Sequence, residues 1–371
     1  MLLQKIAEYG AHESSNQALP EVVIHHAKRA LLDWFAALYP GTQVSPGIEL
    51  VQAYRDELGV GHARLVGYNT TSFPATAAWI NGSVSHAVEF DDIFRDAVYH
   101  PGCPVIAAAL AVAETVNANG AALLNAIVVG YEISTRIGAA VQPAHYHYFH
   151  TTGTVGCIGA AAAAAALYAP GNVQVMKNAI ATATTFASGL QQAFRSDAMT
   201  KALHAGNAAN VGVRSAMAAA SGVTGVEDII EGEVGFAHAL AKGINLDVAV
   251  AGLGVDYNIC KITQKNHACC GHTFASIDAA LELQKQHGFT LADIQSIQIQ
   301  TYRVAINVTG NEEPKTAFEA KFSLPYVVAH ALHYGSVRLD AFDTDHLNNQ
   351  ILRQAIQKIE LTEDSGLSAQ F

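Results

Sequence analysis

The segment 151–169, TTGTVGCIGAAAAAAALYA, constrains the fold more than any other part of the 371-residue sequence. It combines glycines with a run of alanines and carries no charged residue. Alanine is the strongest helix former, and its small side chain lets neighbouring helices approach closely. The segment therefore predicts a helix that is packed on several sides, inside a compact bundle of helices.

Helical patterns extend over residues 1 to about 255. Alanine-rich segments with apolar residues at helical spacing follow one another there, separated by glycine or proline, as in 13–39, 102–120 and 125–141. This part of the chain is expected to form one large all-helical domain.

The pattern changes after about residue 256. The segment 293–302 alternates isoleucine with glutamine at a period of two, as a half-buried strand does, and helical patterns flank it. We therefore predict a mainly α protein, with a large all-helical domain over 1–255 and a smaller α+β domain over 256–371.

The composition limits the classes of partner. Only 14% of the residues are charged and the net charge is −11, which argues against nucleic-acid or membrane-surface partners. The five cysteines are scattered and odd in number, so they do not indicate a disulfide framework. The N-terminus is too polar for a signal peptide, and the longest apolar stretch, 157–169, is shorter than the ~20 residues of a membrane span. These features predict a soluble, cytoplasmic protein.

Titratable side chains gather in five places, each of which, taken alone, could equally be a polar helix end or loop. They are the segment 81–105 with His86, Glu89, Asp91, Asp92, Arg95, Asp96 and His100; the histidines His145, His147 and His150; the pair Lys201 and His204; the residues Lys265, His267 and His272 around Cys269 and Cys270; and the polar loop 307–316.

The motifs of metal, nucleotide and nucleophile chemistry are absent from the sequence. It contains no HExxH or CxxC motif, no GxSxG elbow, and no GxGxxG after a predicted strand. Cys269 and Cys270 could bind zinc together with His267 and His272, but adjacent thiols seldom point the same way. We predict no metal and no cofactor, and a pocket of histidine and lysine suited to proton transfer at a carbon next to a carboxylate.

Ordered motifs resemble those of the MmgE/PrpD family. They are NGSVSHAVEFDDIFRDAVYHPG, FHTTGTVGCIGAAAAAAAL, MTKALHAGNAANVGV, ACCGHTFASIDAA and, more weakly, AKFSLPYVVAHAL. The resemblance implies a large helical domain, a smaller α+β lid, an active site in the cleft between them, and a homodimer. The chain is shorter than is usual in the family, which implies a lid that is truncated at its C-terminal end.

The resemblance also implies the site residues. We expect Lys201, His150, His100 and His272 to be catalytic, with Lys201 or His150 as the base and His100 or His272 as the acid. The predicted substrate-binding residues are Glu89, His267, Arg95 and Thr152. Glu89 stands where the family usually has aspartate, and Ile93 where it usually has threonine. His204, one helical turn from Lys201, is expected to be structural.

Known members of the family include 2-methylcitrate dehydratase, cis-aconitate decarboxylase and iminodisuccinate epimerase. All act on small polycarboxylates without a metal or organic cofactor. The resemblance therefore implies a cofactor-free lyase acting on a di- or tricarboxylate, with an epimerase as the alternative. A non-catalytic scaffold with an incomplete lid is the competing interpretation from another class, which the retention of His100, His150, Lys201 and His272 disfavours.

Overall fold

The computed structural model describes residues 1–15, 19–194 and 198–370. The chain divides into two compact units, Met1–Gln264 and Lys265–Phe371. The division falls a few residues after the change of sequence pattern near residue 256. The described parts of both units are mainly helical, with one small two-stranded sheet in each. The predicted mainly α fold class is therefore confirmed.

Helices build most of the first unit. They are α1 Leu2–Ser15, α2 Glu21–Gly41, α3 Gly47–Ala53, α4 Pro74–Ser85, α5 Gly102–Thr115, α6 Gly120–Ala140, α7 Thr151–Tyr168, α8 Val173–Thr185, α9 Thr200–Ala220, α10 Phe236–Ala241 and α11 Leu246–Val250. Short 3₁₀ helices lie at Arg55–Glu57, Arg95–Ala97, His145–His147, Gln191–Phe194 and Asn258–Lys261.

The alanine-rich helix α7 is the central helix of this unit. Every residue from Thr151 to Leu167 is buried, and α7 packs against α5, α6, α8 and α9. By length and composition α7 could cross a membrane, but 94% of it is buried inside the fold, as in the core helix of a soluble protein. The prediction of a helix packed on several sides is confirmed.

One feature of the first unit departs from the all-helical prediction. The strands β1 Ala63–Leu65 and β2 Thr70–Ser72 pair antiparallel as a small hairpin. Asn81 in α4 supports the turn, because its side chain accepts the Val66 N–H at 3.0 Å and donates to the Arg64 carbonyl at 2.9 Å. Strands of three residues are too short for an alternating pattern to show in the sequence.

The second unit has the α+β composition that the sequence predicted. Its helices are α12 Phe274–His287, α13 Arg303–Thr309, α14 Ala317–Lys321, α15 Leu324–Tyr334, α16 Thr344–Leu347, α17 Gln350–Ile356 and α18 Ser365–Gln370, with 3₁₀ helices at Gly271–Thr273, Leu291–Asp293 and Leu339–Phe342. The strands are β3 Ile297–Thr301, within the predicted segment, and β4 Ile359–Glu363. They pair in parallel, with Ile297 opposite Ile359.

Candidate active site

Four histidines and a lysine come together in the first unit, in what we call the histidine cluster: His86, His100, His150, His204 and Lys201. Each lies at the end of a helix. His86 follows α4, His100 precedes α5, His150 is the N-cap of α7, and Lys201 and His204 lie in the first turns of α9.

Close helix packing brings these ends together. A Cβ atom on Gly206 of α9 would lie 2.0 Å from the Ser83 Oγ and 2.2 Å from the Trp79 carbonyl oxygen, both in α4. Glycine therefore allows the start of α9 to lie directly against the end of α4, which brings the side chains at these two ends into one cluster.

The imidazole rings touch one another. The rings of His86 and His150 stack, with centroids 5.5 Å apart and an interplanar angle of 20°. His100 lies 5.0 Å from His86 and 6.4 Å from His150, and His204 lies 5.2 Å from His150. Such a group can place several proton carriers around one small ligand.

Asp91 holds two of the rings. Its Oδ2 lies 2.8 Å from the Nδ1 of His86 and 3.1 Å from the Nδ1 of His100. The same His100 nitrogen also lies 2.8 Å from the carbonyl oxygen of Asp92. Because a carbonyl oxygen only accepts hydrogen bonds, the Nδ1 of His100 must carry a proton.

A hydrogen bond joins the rings of His150 and His204. Their Nδ1 atoms lie 3.0 Å apart, so one must donate and the other accept. Burial lowers the pKa of His150 well below its usual range, and the neighbouring His86 and Lys201 lower it further. Burial also lowers the pKa of His204 to about 4. Both rings are therefore neutral near pH 7, and each carries one proton and one lone pair on its nitrogens.

Lys201 forms a buried ion pair with Glu89. The Lys201 Nζ also lies 5.4 Å from the centre of the Phe194 ring, a distance at which a cation is attracted to an aromatic face. Glu89 adopts a φ of +58°, in the left-handed region that few residues other than glycine occupy. The loop after α4 therefore holds an unfavourable backbone conformation at the residue that neutralises the buried lysine.

The other predicted site residues of the first unit differ in position. Thr152 is fully buried, and its Oγ1 accepts the backbone N–H of His100 at 3.3 Å. Arg95 lies in the 3₁₀ helix Arg95–Ala97 with its side chain exposed. The structure thus brings Glu89, His100, His150, Thr152 and Lys201 together, while the functional roles of all of them stay predictions.

His267 and His272 belong to the second unit. His267 is buried and its Nε2 lies 2.9 Å from the Oδ1 of Asp278, while the Nδ1 of His272 lies 2.7 Å from the hydroxyl of Tyr302. Each ring is oriented by a neighbouring polar side chain. Their predicted catalytic and binding roles also stay predictions.

A group with metal-ligand spacing lies within the first unit. The ligand atoms of His86, Asp91 and Cys103 lie within 4.8 Å of one another. Burial raises the pKa of the Cys103 thiol well above its usual range, and the Nδ1 of His86 is already hydrogen-bonded to Asp91. A metal at this position would bind the thiolate, so its binding would release the proton of Cys103.

Sequence reasoning left three members of this site out of the predicted set: His86, Asp91 and His204. The signal was present, since His86 and Asp91 lie in the same motif as Glu89 and His100, and His204 follows Lys201 by three residues. What the sequence could not give was the pairing across helices, which makes the Nδ1 of His204 the partner of His150.

The fold and this cluster define a class of protein: a two-unit, mainly helical protein whose first unit gathers histidine and lysine side chains suited to proton transfer. The MmgE/PrpD N-terminal domain model matches residues 4–249, and the C-terminal domain model matches residues 267–371. The chain belongs to the MmgE/PrpD family.

Similar proteins are named as decarboxylases. A cis-aconitate decarboxylase-like protein of Aspergillus oryzae is 28% identical over 94% of this chain and 77% of its own length. The cis-aconitate decarboxylase of Aspergillus terreus is 27% identical over 86% of this chain and 70% of its own. The human cis-aconitate decarboxylase is 27% identical over 97% and 77%.

Proposed function

We propose that the protein is a lyase that removes a carboxyl group from a small unsaturated tricarboxylate such as cis-aconitate. The observation that carries the proposal is the histidine cluster, in which four imidazoles and the Lys201 ammonium group lie close together. A ligand with several carboxylates can accept hydrogen bonds from several of these groups at once. The names of the similar proteins support the same substrate class.

The reaction requires one bond to break and one proton to arrive. When the bond between the carboxyl carbon and its neighbour breaks, carbon dioxide leaves and the electron pair remains on the neighbouring carbon. The adjacent double bond and carboxylate delocalise that charge, and a side chain then delivers a proton to carbon. In our proposal Lys201 and the histidines hold the remaining carboxylates and supply this proton.

Burial of the histidines fits this chemistry once a ligand is bound. An isolated buried histidine is neutral and a poor acid at pH 7, but a carboxylate at hydrogen-bond distance favours its charged form. The substrate would therefore raise the pKa of His150 and convert it into an acid that the reaction needs. The second unit's His272 stays a candidate acid on the resemblance alone.

Dehydration and epimerisation would use the same side chains as decarboxylation. The reaction type must therefore be determined from the products. The purified chain is incubated in D₂O with cis-aconitate, 2-methylcitrate or iminodisuccinate and followed by proton NMR. We expect loss of cis-aconitate, with one deuterium incorporated per carbon dioxide released. Loss of water from 2-methylcitrate would assign a hydro-lyase instead, and deuterium exchange without a new compound would assign an epimerase.

A binding measurement tests, independently of turnover, whether the chain binds a polycarboxylate. A ligand at a hundredfold excess over its Kd stabilises a protein by about 2.7 kcal/mol, which a thermal shift detects. We expect a rise in Tm with cis-aconitate. No rise with any of the three polycarboxylates, and no turnover, would support the non-catalytic interpretation.

The family resemblance further leads us to propose a homodimer, and the composition of the sequence leads us to propose that it works in the cytoplasm. Helix α2 carries large exposed apolar side chains, Val22, Leu32 and Tyr39, of the kind that subunit interfaces cover. Size-exclusion chromatography with light scattering tests the oligomeric state. A single-chain mass at micromolar concentration would contradict the dimer.

A further inference from the structure

Asp91 contacts two rings of the histidine cluster, and the reaction proposed above gives it no part. One of its oxygens, Oδ2, lies within hydrogen-bond distance of the Nδ1 atoms of both His86 and His100. The carboxyl group is almost completely buried, and His86 is fully buried. Two imidazoles that share one carboxylate oxygen are held at a fixed distance and angle to each other.

The hydrogen bonds decide which nitrogen of each ring remains for chemistry. A carboxylate only accepts hydrogen bonds, so both Nδ1 atoms carry protons and each neutral ring keeps its lone pair on Nε2. The Nε2 of His86 has no hydrogen-bond partner in the part of the chain that the structure describes, and its ring stacks on His150. The side chain of His100 is 16% exposed, so a ligand can reach this ring.

The two rings depend on Asp91 to different degrees. The Nδ1 of His100 has a second acceptor, the carbonyl oxygen of Asp92, and the backbone N–H of His100 bonds to Thr152. Among the residues that the structure describes, the Nδ1 of His86 is hydrogen-bonded to Asp91 alone. Asp91 therefore fixes the tautomer of His86 by itself, while for His100 it adds a negative charge to a ring that the backbone also holds.

We propose that Asp91 is the positioning residue of this site. It holds His86 and His100 with Nδ1 protonated, so that the Nε2 of His100 exchanges a proton with the substrate and His86 supports His150 by stacking. The catalytic part of this inference rests on the proposed function, whereas the orientation of the rings does not.

Orientation is tested without substrate. Long-range proton–nitrogen NMR of protein with ¹⁵N-labelled histidine distinguishes the two neutral tautomers, and His86→Gln assigns the His86 signal. We expect the Nδ1–H form of His86 in the wild type. It should persist in Asp91→Asn, whose amide oxygen can still accept, and be lost in Asp91→Ala. An unchanged His86 tautomer in Asp91→Ala would overturn the positioning role.

Charge is tested by the pH dependence of turnover. Glu89, Asp92, Lys201, His150 and the thiol of Cys103 also surround these rings, and the Asp91→Asn change leaves all of them in place. Because a neighbouring carboxylate favours the charged imidazole, its loss should move the histidine-dependent limb of the kcat/KM profile to lower pH by about one unit. We expect kcat to fall about 10²-fold and KM to change far less.

Asp92→Asn is the matched control. Asp92 is equally buried, but its carboxylate accepts from the Gly102 N–H at 2.9 Å and the Tyr131 hydroxyl at 2.7 Å rather than from an imidazole. This variant should lower the Tm and move the pH limb clearly less than Asp91→Asn does, because its carboxylate does not bond to an imidazole. Equal shifts in both variants, or none in Asp91→Asn, would refute the charge role. If the wild type turns over none of the polycarboxylates, the proposed function fails while the tautomer experiment still decides the orientation.

Discussion

At the scale of single residues, the site is a set of bases kept close enough to oppose one another's protonation. Burial and the neighbouring basic groups lower the pKa of His150 and of His204, which holds both rings neutral near pH 7, and Lys201 forms an ion pair with Glu89. Such a cluster is suited to binding an anion. The negative charge of the ligand stabilises any proton that the neutral histidines take up.

The contributions of Lys201 and Glu89 to the free energy of unfolding should depend on each other. Lys201→Met removes the cation that neutralises a buried carboxylate, so we expect it to lower the free energy of unfolding by about 3–5 kcal/mol. The Glu89→Gln/Lys201→Met double variant should lose clearly less than the sum of the two single variants. Urea denaturation of the four proteins measures this, and additive losses would contradict a direct buried pair.

The depressed pKa values also predict how stability changes with pH. Burial lowers the pKa of His145 and of His204 to about 4, whereas an unfolded histidine titrates near 6.5. Between those values the unfolded chain binds more protons, so stability falls as the pH decreases from about 6.5 toward 4. The Tm measured across this range should fall, and less steeply in His204→Asn. An identical slope in that variant would contradict the assignment to His204.

Ligand binding should take up protons for the same reason. A tricarboxylate near the cluster favours charged histidines, so its affinity should increase as the pH decreases from about 8 to 6. Tricarballylate, a saturated analogue of aconitate, allows calorimetry without turnover. We expect binding heats that differ between buffers of unlike ionisation enthalpy in the direction of proton uptake. Buffer-independent heats would contradict it.

At the scale of elements, small residues determine where the helices cross. At Gly206 in α9 there is no space for a Cβ atom, because α4 lies directly against it. At Gly120, at the start of α6, no atom lies within 4 Å of the position that a Cβ would occupy. The same sequence therefore contains glycines that packing requires and glycines that it does not. The crossings also fix the helix ends from which His86, Lys201 and His204 project.

Alanine substitution distinguishes the two kinds of glycine. Gly206→Ala forces a methyl group onto a backbone oxygen of α4, so we expect a loss of about 1–3 kcal/mol and reduced turnover, because α9 also carries Lys201. Gly120→Ala should be neutral or slightly stabilising, since it only restricts the unfolded chain. Thermal denaturation and activity of both variants are the measurement. Wild-type stability in Gly206→Ala would contradict the close crossing.

At the scale of the whole molecule, the sequence predicted the fold class and the α+β character of the second unit, because helical and strand periodicities are local properties. It missed the hairpin β1–β2, whose three-residue strands are too short for an alternating pattern and whose turn is held by Asn81 in the helix that follows. The motifs predicted His100, His150 and Lys201 as site residues, and the structure brings them together. The contacts of Asp91 and His204 could not be predicted, since they depend on how the chain folds around His86, His100 and His150.

The most direct test of the account is the rate of carbon dioxide release from cis-aconitate by four proteins: the wild type, His150→Gln, Lys201→Met and Lys177→Met. Lys177 is the matched control, because it is also a buried lysine paired with a glutamate, Glu227, but lies outside the histidine cluster. We predict release by the wild type and by Lys177→Met, with a loss of roughly 10²–10⁴-fold in the two cluster variants, each folded by circular dichroism. Wild-type release by folded His150→Gln and Lys201→Met would contradict the claim that this cluster is the catalytic site.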